Sequence, residues 1–229
     1  GYTHSVTYTV GTVDSDTEAV VVISKNNDSL TADVTNIYTR ETTSISGTKT
    51  WVDGNNQDGI RPGSVTIKLQ KKVGSAGWTD VKDSKGDAVT TTASEASNWK
   101  YSFTDLPKYE GTKEVSYKIV EPDVPDGYAA AYANDDKDVI NTHEPEVTSI
   151  NGKKIWNDNN NQDGLRRSVQ LQLVSRAKGD EDWSDVHGKT VTVSKATNWE
   201  YEFTNLDKYK DGVEQEYGVK EIDIPEGYT

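Results

Sequence analysis

Ile45-Ser46-Gly47-Thr48-Lys49-Thr50-Trp51 runs on through Asp53, Asn56, Asp58, Gly59 and Arg61. It returns as Ile150-Asn151-Gly152-Lys153-Lys154-Ile155-Trp156, followed by Asp158, Asn161, Asp163, Gly164 and Arg166. Read as a strand, the stretch sends alternate side chains to opposite faces. Lys49 then shares a face with Ile45 and Trp51, and Lys154 with Ile150 and Trp156. A charged lysine in the middle of an apolar strand face is costly to bury, so its presence in both copies asks for a chemical reason.

The repeat extends well beyond this stretch. Trp51 and Trp156 are 105 positions apart, as are Trp78 and Trp183. Trp99 and Trp199, Tyr101 and Tyr201, Phe103 and Phe203, Tyr117 and Tyr217, and Glu121 and Glu221 are each 100 apart, which puts a short deletion between Val186 and Trp199. All six tryptophans and both phenylalanines fall into this pairing, so the chain is organised as tandem copies. Within each copy, Val65-Thr66-Ile67-Lys68-Leu69 and Val169-Gln170-Leu171-Gln172-Leu173 alternate with period two. So do the segments beginning at Trp99 and Trp199. Short alternating runs broken by Gly, Asn, Asp and Pro predict an all-β fold of tandem Ig-like, Greek-key β-sandwiches.

Composition narrows the classes of function. Twenty-five Lys and Arg against 38 Asp and Glu leave a net charge of −13, which argues against nucleic acid or an anionic membrane as partner. No apolar run is long enough to span a bilayer. Cysteine is absent, so disulfides, thiolate–metal sites and Cys nucleophiles are excluded. Methionine is absent even from the first position, and the chain reads as an excerpt from something longer.

Residues 44–146 read as one complete copy. Residues 147–229 form a second, ending at Pro225-Glu226-Gly227-Tyr228-Thr229. The first copy, after its matching Pro125-Asp126-Gly127-Tyr128, continues into a strand that ends Asp138-Val139-Ile140-Asn141-Thr142. The second is therefore expected to lack its last strand or strands. Residues 1–43, with Val6-Thr7-Tyr8-Thr9-Val10, Ala19-Val20-Val21-Val22-Ile23 and Asp33-Val34-Thr35-Asn36, read as the closing strands of a repeat whose body is not at this end. Asn36 precedes Lys49 by 13 positions, as Asn141 precedes Lys154.

Three polar residues sit on apolar strand faces: Lys49 in phase with Trp51, Glu121 with Val115, Tyr117 and Ile119, and Asn141 with Val139. The second set is Lys154, Glu221 and, in phase with Val34, Asn36. Taken singly, each is accounted for by a hydrogen bond or an outward position on an edge strand. Their joint recurrence at matching repeat positions is harder to assign to chance.

These residues carry a resemblance. Lys49-Thr50-Trp51-Val52-Asp53 with Asn56, Asp58-Gly59 and Arg61-Pro62 resembles the Cna B-type repeat of Gram-positive surface adhesins and pilins. Tyr117-Lys118-Ile119-Val120-Glu121 with Gly127-Tyr128, and Ile140-Asn141-Thr142, resemble it too. The likeness spans one full and two partial repeats. It departs at Arg167, where the first copy has Pro62, and in a longer insertion within residues 1–39. The resemblance implies a spontaneous amide bond between Lys49 and Asn141, assisted by a buried Glu121. In the second set Lys154 and Glu221 match, and the asparagine available to them is Asn36. Burial would lower the lysine pKa and raise that of the acid, so that a neutral amine faces a protonated carboxyl. Such a bond would close almost a whole domain and contribute roughly 4–5 kcal/mol by analogy with a disulfide. This is a single turnover within the fold, not enzymatic catalysis.

The implied function is an extracellular stalk, wall-anchored in its parent protein, with neighbouring repeats as partners. A head-to-tail association through 1–43 and 148–229 is a further expectation. The alternative is an adhesin module that recognises a host matrix protein or glycan through exposed loops such as 129–138. No cofactor or metal is expected. The run Asp53-Gly54-Asn55-Asn56-Gln57-Asp58-Gly59 has calcium-loop composition, but its glycine falls one place late and Ser64 holds the position of the bidentate acid, so an Asx-rich turn is the better reading. His4, His143 and His187 do not repeat and read as surface residues.

Overall fold

The computed structural model describes residues 3–10, 13–15 and 32–229, with side chains from Thr39 onward. The expected strand Ala19 to Ile23 lies outside the described residues. The strands are β1 (Thr3–Val10), β2 (Val13–Ser15), β3 (Ala32–Thr39), β4 (Thr42–Val52), β5 (Ser64–Val73), β6 (Thr79–Asp80), β7 (Thr90–Ser94), β8 (Lys100–Pro107) and β9 (Tyr109–Glu110). They continue with β10 (Lys113–Val120), β11 (Ala129–Ala133), β12 (Asp138–Thr142), β13 (Val147–Lys153), β14 (Val169–Ala177), β15 (Ser184–Val193), β16 (Glu200–Asp207), β17 (Tyr209–Lys210) and β18 (Val213–Glu221). Helix is confined, among the described residues, to single 3-10 turns at Glu95–Ser97 and Lys195–Thr197.

The strands form sheets ordered β2-β1-β3, β6-β5-β10-β9 with β7 also on β5, β11-β12-β4-β8, β13-β16, and β15-β14-β18-β17. Antiparallel pairing with one wet face is what the alternating runs dictate. The described residues fall into two compact units: one of those up to Lys49 with 64–123 and 132–139, the other of 50–63, 124–131 and 140–229.

In the first unit, Ile45, Val65, Ile67, Leu69, Phe103, Leu106, Val115, Ile119 and Val139 are buried, each worth about 1.5–3 kcal/mol when fully removed from water. In the second, Leu173, Phe203 and Leu206 make a core with Ile150, Tyr217 and Val219 packed against it. Beside it, Val169, Leu171 and Val193 pack with Trp156 and Trp199. Repeat symmetry holds at the level of register. Ile45 lies opposite Phe103 and Gly47 opposite Tyr101, as Ile150 lies opposite Phe203 and Gly152 opposite Tyr201.

One local expectation differs. The aromatic runs begin as strands at Lys100 and Glu200, not at the tryptophans before them. Asn98 and Trp99 (φ 50° and 60°), like Asn198 and Trp199 (φ 51° and 66°), adopt the left-handed conformation. Asparagine tolerates it, but a bulky Trp does so at a cost. The 3-10 turn imposes that conformation, and the positions it gives the Trp99 and Trp199 carbonyls matter for the site.

Candidate functional site

Lys49 is pinned in place by backbone. Its amide N–H donates to the Trp99 carbonyl at 2.8 Å, and the Lys154 amide repeats this with Trp199 at 2.8 Å. Two residues before Lys49, a Cβ on Gly47 would lie 1.7 Å from the Lys137 carbonyl oxygen, so only glycine admits the chain segment that leads into β12. The Tyr101 hydroxyl donates to that same carbonyl at 2.6 Å, and the Thr48 N–H donates to Asp138 Oδ1 at 2.8 Å. These contacts seat β12 beside β4.

On this frame the three first-copy residues are removed from solvent: Lys49 is 2% exposed, Glu121 5% and Asn141 0%. Glu121 lies just past the end of β10, and its N–H donates to the Tyr132 hydroxyl at 3.1 Å. Its Oε2 stands 3.9 Å from Lys49 Nζ. Asn141 is carried by β12, the neighbour of β4 in the sheet order. A lysine and a carboxylic acid enclosed together without solvent strongly disfavour both charged forms unless each is well partnered.

The second set is arranged differently. Lys154 Nζ approaches Glu221 Oε2 to 2.8 Å, with the two side chains 21% and 17% exposed. The ammonium also lies 4.6 Å from the centroid of Trp156. The pair opens onto a cleft of about 340 Å³ lined by Lys153, Ile155, Leu171, Tyr201 and Val219. Asn36 is on β3, opposite Val6, and its side chain lies outside the described residues.

The Asp/Asn-rich stretch after each Trp is a charged turn. Arg61 donates to Asp53 through Nε at 2.9 Å and Nη2 at 2.6 Å. The Asn56 N–H and the Tyr128 hydroxyl add donors to Asp53 at 3.0 and 2.8 Å. Burial acts to raise the Asp53 pKa, but the Arg61 guanidinium, the Asn56 amide and the Tyr128 hydroxyl outweigh it and bring it down to about 2. Arg166, Asn161 and Tyr228 treat Asp158 in the same way, and Arg166 above all holds its carboxyl below the usual range. Each Tyr also meets its Trp edge to face, at 4.9 Å for Tyr128 and Trp51 and 4.7 Å for Tyr228 and Trp156. The acid that would lead a calcium loop is thus committed to an arginine. Among the described residues no group of three or more His, Asp or Glu is placed to hold a metal ion.

Two features of the first turn escaped the sequence reading. His143, set aside there as a surface residue, has Nε2 2.8 Å from Asp58 Oδ2 and Nδ1 2.8 Å from the Gly127 carbonyl. Asp58 Oδ2 also accepts the Glu146 N–H at 2.9 Å. The Asp58 carboxylate raises the His143 pKa. The other feature is a close backbone contact: a Cβ on Gly59 would lie 2.5 Å from Gly212 Cα, and the Gly212 N–H donates to the Gln57 carbonyl at 2.9 Å. No sequence signal marked His143, because the second copy has no counterpart to compare. The repeated Asp-x₇-Arg spacing with Gly-Tyr downstream could have flagged the charged turn.

Ig-like antiparallel sandwiches repeated in tandem, each with a lysine on or just past its first strand and a glutamate at the end of a later one, define a class of structural repeat domain found in surface proteins. The chain belongs to the Cna protein B-type domain family, which it matches over residues 45–142 and 150–229. It is 37% identical over 208 residues, 89% of its length, to the collagen adhesin of Staphylococcus aureus, of which it spans 16%. It also resembles the crystal structure of two B repeat units (B1B2) of the collagen binding protein (Cna) of S. aureus. That match has a TM-score of 0.63 and 30% identity, covering 96% of this chain and 63% of that one.

Proposed function

We propose that the chain is a spacer region of an extracellular surface adhesin, stiffened by an amide bond that forms by itself between Lys49 and Asn141 with Glu121 assisting. Its partners on this reading are neighbouring repeats of the same protein, and its attachment to the cell wall is made elsewhere in the parent. The observation that carries the reading is the enclosure of Lys49 and Glu121, side chains 3.9 Å apart and both sealed from solvent, in a fold that also buries Asn141 on the strand next to β4.

In that enclosure a neutral amine and a protonated acid are the favoured pair. Lys49 Nζ attacks Asn141 Cγ, the new C–N bond forms, and the Cγ–Nδ2 bond breaks. The proton lost by the amine passes through Glu121 to the departing nitrogen, which leaves as ammonia. Burial on adjacent strands supplies the proximity that a bimolecular amidation lacks. Tension entering at β4 and leaving at β12 then runs through the amide and bypasses the sandwich, which suits a stalk.

Intact mass tests this. The purified chain is expected to weigh one ammonia less than its sequence, and Glu121→Ala to restore the full mass. Full mass in the unaltered chain would defeat the proposal.

A further inference from the structure

His143 opens the linker His143-Glu144-Pro145-Glu146 between the two copies, and both nitrogens of its ring are engaged. Nδ1 is 2.8 Å from the Gly127 carbonyl oxygen and Nε2 is 2.8 Å from Asp58 Oδ2. A carbonyl oxygen and a carboxylate oxygen both accept, so both ring nitrogens must donate. Only the imidazolium carries two N–H groups; in the neutral ring one nitrogen would turn a lone pair on an acceptor. The backbone fixes the ring in this place, since the His143 N–H donates to the Val52 carbonyl at 2.8 Å. The Asp58 side chain is 3% exposed and that of His143 12%. Asp58 Oδ1 is buried with no hydrogen-bond partner among the described residues.

Asp58 is the hub of this junction. Its Oδ2 accepts the Glu146 N–H at 2.9 Å as well as the Nε2 proton of His143. Glu146 in turn is tied into the second copy: its carbonyl accepts the Lys208 N–H at 3.0 Å, and its carboxylate meets Lys208 Nζ at 2.6 Å. Four residues past Lys208, the Gly212 N–H donates at 2.9 Å to the carbonyl of Gln57, the neighbour of Asp58. There the two backbones meet without side chains, since a Cβ on Gly59 would lie 2.5 Å from Gly212 Cα. One turn of the first copy, 53–61, thus holds the linker and the second copy, and His143 supplies the cation for the acid at its centre. The other charges beside the ring are committed elsewhere. Asp53 is paired with Arg61 and the Glu146 carboxylate with Lys208. Tyr128, whose ring lies 5.4 Å from that of His143, gives its hydroxyl to Asp53.

We propose that this junction is a proton-controlled latch: charged His143 holds Asp58, and with it Glu146 and the 210–212 loop of the second copy, to the turn 53–61, and loss of the ring proton releases them. Deprotonation takes one of the two N–H groups and leaves a lone pair facing an oxygen. It also strips the cation from an acid that is closed off from water, a costly state. Both effects push the turn away from the linker, and Gln57 loses its seat on Gly212. The Asp58 carboxylate raises the His143 pKa above its ordinary value. The latch is therefore shut in mild acid and opens as the pH rises through that raised value. It operates independently of the amide proposed for Lys49 and Asn141.

Amide hydrogen exchange of the whole chain, followed by NMR between about pH 5.5 and 8.5 and corrected for the intrinsic effect of pH on exchange, tests this. The protection of Glu146 and Gly212 is expected to fall together, by about tenfold or more, at the pH where the His143 ring itself titrates. His143→Gln, which cannot titrate, and Asp58→Asn, which removes the acid, should each abolish the step. Constant protection of Gly212 while His143 titrates, even with Glu146 responding, would overturn the inference. So would a step that survives either substitution.

Discussion

Lys49 Nζ stands 3.9 Å from Glu121 Oε2 with both side chains sealed from solvent, whereas their repeat counterparts Lys154 and Glu221 touch at 2.8 Å at the edge of an open cleft. The residue types are the same and the core beneath each pair is built alike. What differs is the strand beside the lysine: β12 covers β4, and among the described residues nothing comparable covers β13. An ion pair at a solvent-lined edge is worth little. On the proposed reading the sealed pair takes its neutral forms, and a neutral amine is a nucleophile.

If the first pair is cross-linked, removing the bond should cost stability out of proportion to the change in packing. Glu121→Gln, which keeps the shape of the acid but cannot relay a proton, is expected to leave Lys49 and Asn141 unjoined. Losing a closure of this length costs about 4–5 kcal/mol, and calorimetry should show the melting temperature of the first copy down by roughly 15 °C or more. A shift of only a degree or two would mean that no bond had been lost.

Gly47 and Gly152 occupy the same repeat position with different neighbours. A Cβ on Gly47 would meet the Lys137 backbone oxygen at 1.7 Å, while one on Gly152 would meet the end of the Tyr201 side chain at 2.4 Å. Backbone cannot step aside and a tyrosine can. Gly47→Ala should destabilise by about 3 kcal/mol or more and block the loss of ammonia, and Gly152→Ala should cost about 1 kcal/mol or less. Chemical denaturation of the two variants checks the contrast.

The Asp53–Arg61 pair predicts sensitivity to acid. The folded-state pKa of Asp53 is depressed to about 2, so its contribution is complete above the unfolded value of about 3.9 and is lost as the pH falls toward 2. Arg61→Ala leaves a buried carboxylate short of its main partner and should cost about 2–3 kcal/mol at neutral pH. That loss should shrink on acidification, as urea midpoints taken across the range would show.

His143 acts in the opposite sense. Asp58 raises its folded pKa, so its contribution is complete below the unfolded value of about 6.5 and is lost as the pH rises through the higher folded value. Asp58→Asn should remove this dependence between about pH 6 and 8. Titration of the His143 ring by NMR, with and without Asp58, measures it directly.

Much of the site could be read from spacing. The parity that put Lys49 with Ile45, Glu121 with Ile119 and Asn141 with Val139 is the parity of burial in the fold, because a strand has only two faces. Parity cannot report whether a neighbouring strand is present, so the sequence treated Lys154 and Glu221 as equals of Lys49 and Glu121 when they are half-open. Nor could it foresee that Trp99 and Trp199 take a left-handed backbone, since a 3-10 turn imposes that against their own preference. His143 was missed for another reason: its partner Asp58 is 85 positions away, and no periodicity connects the two.

The most direct measurement is a tryptic peptide map of the unaltered chain. With Lys49 joined to Asn141, trypsin cannot cut after Lys49, and the account predicts a branched product of residues 41–68 with residues 138–153, one ammonia lighter than the two peptides together. Recovery of a linear peptide ending at Lys49, with 138–153 at its full mass, would contradict it.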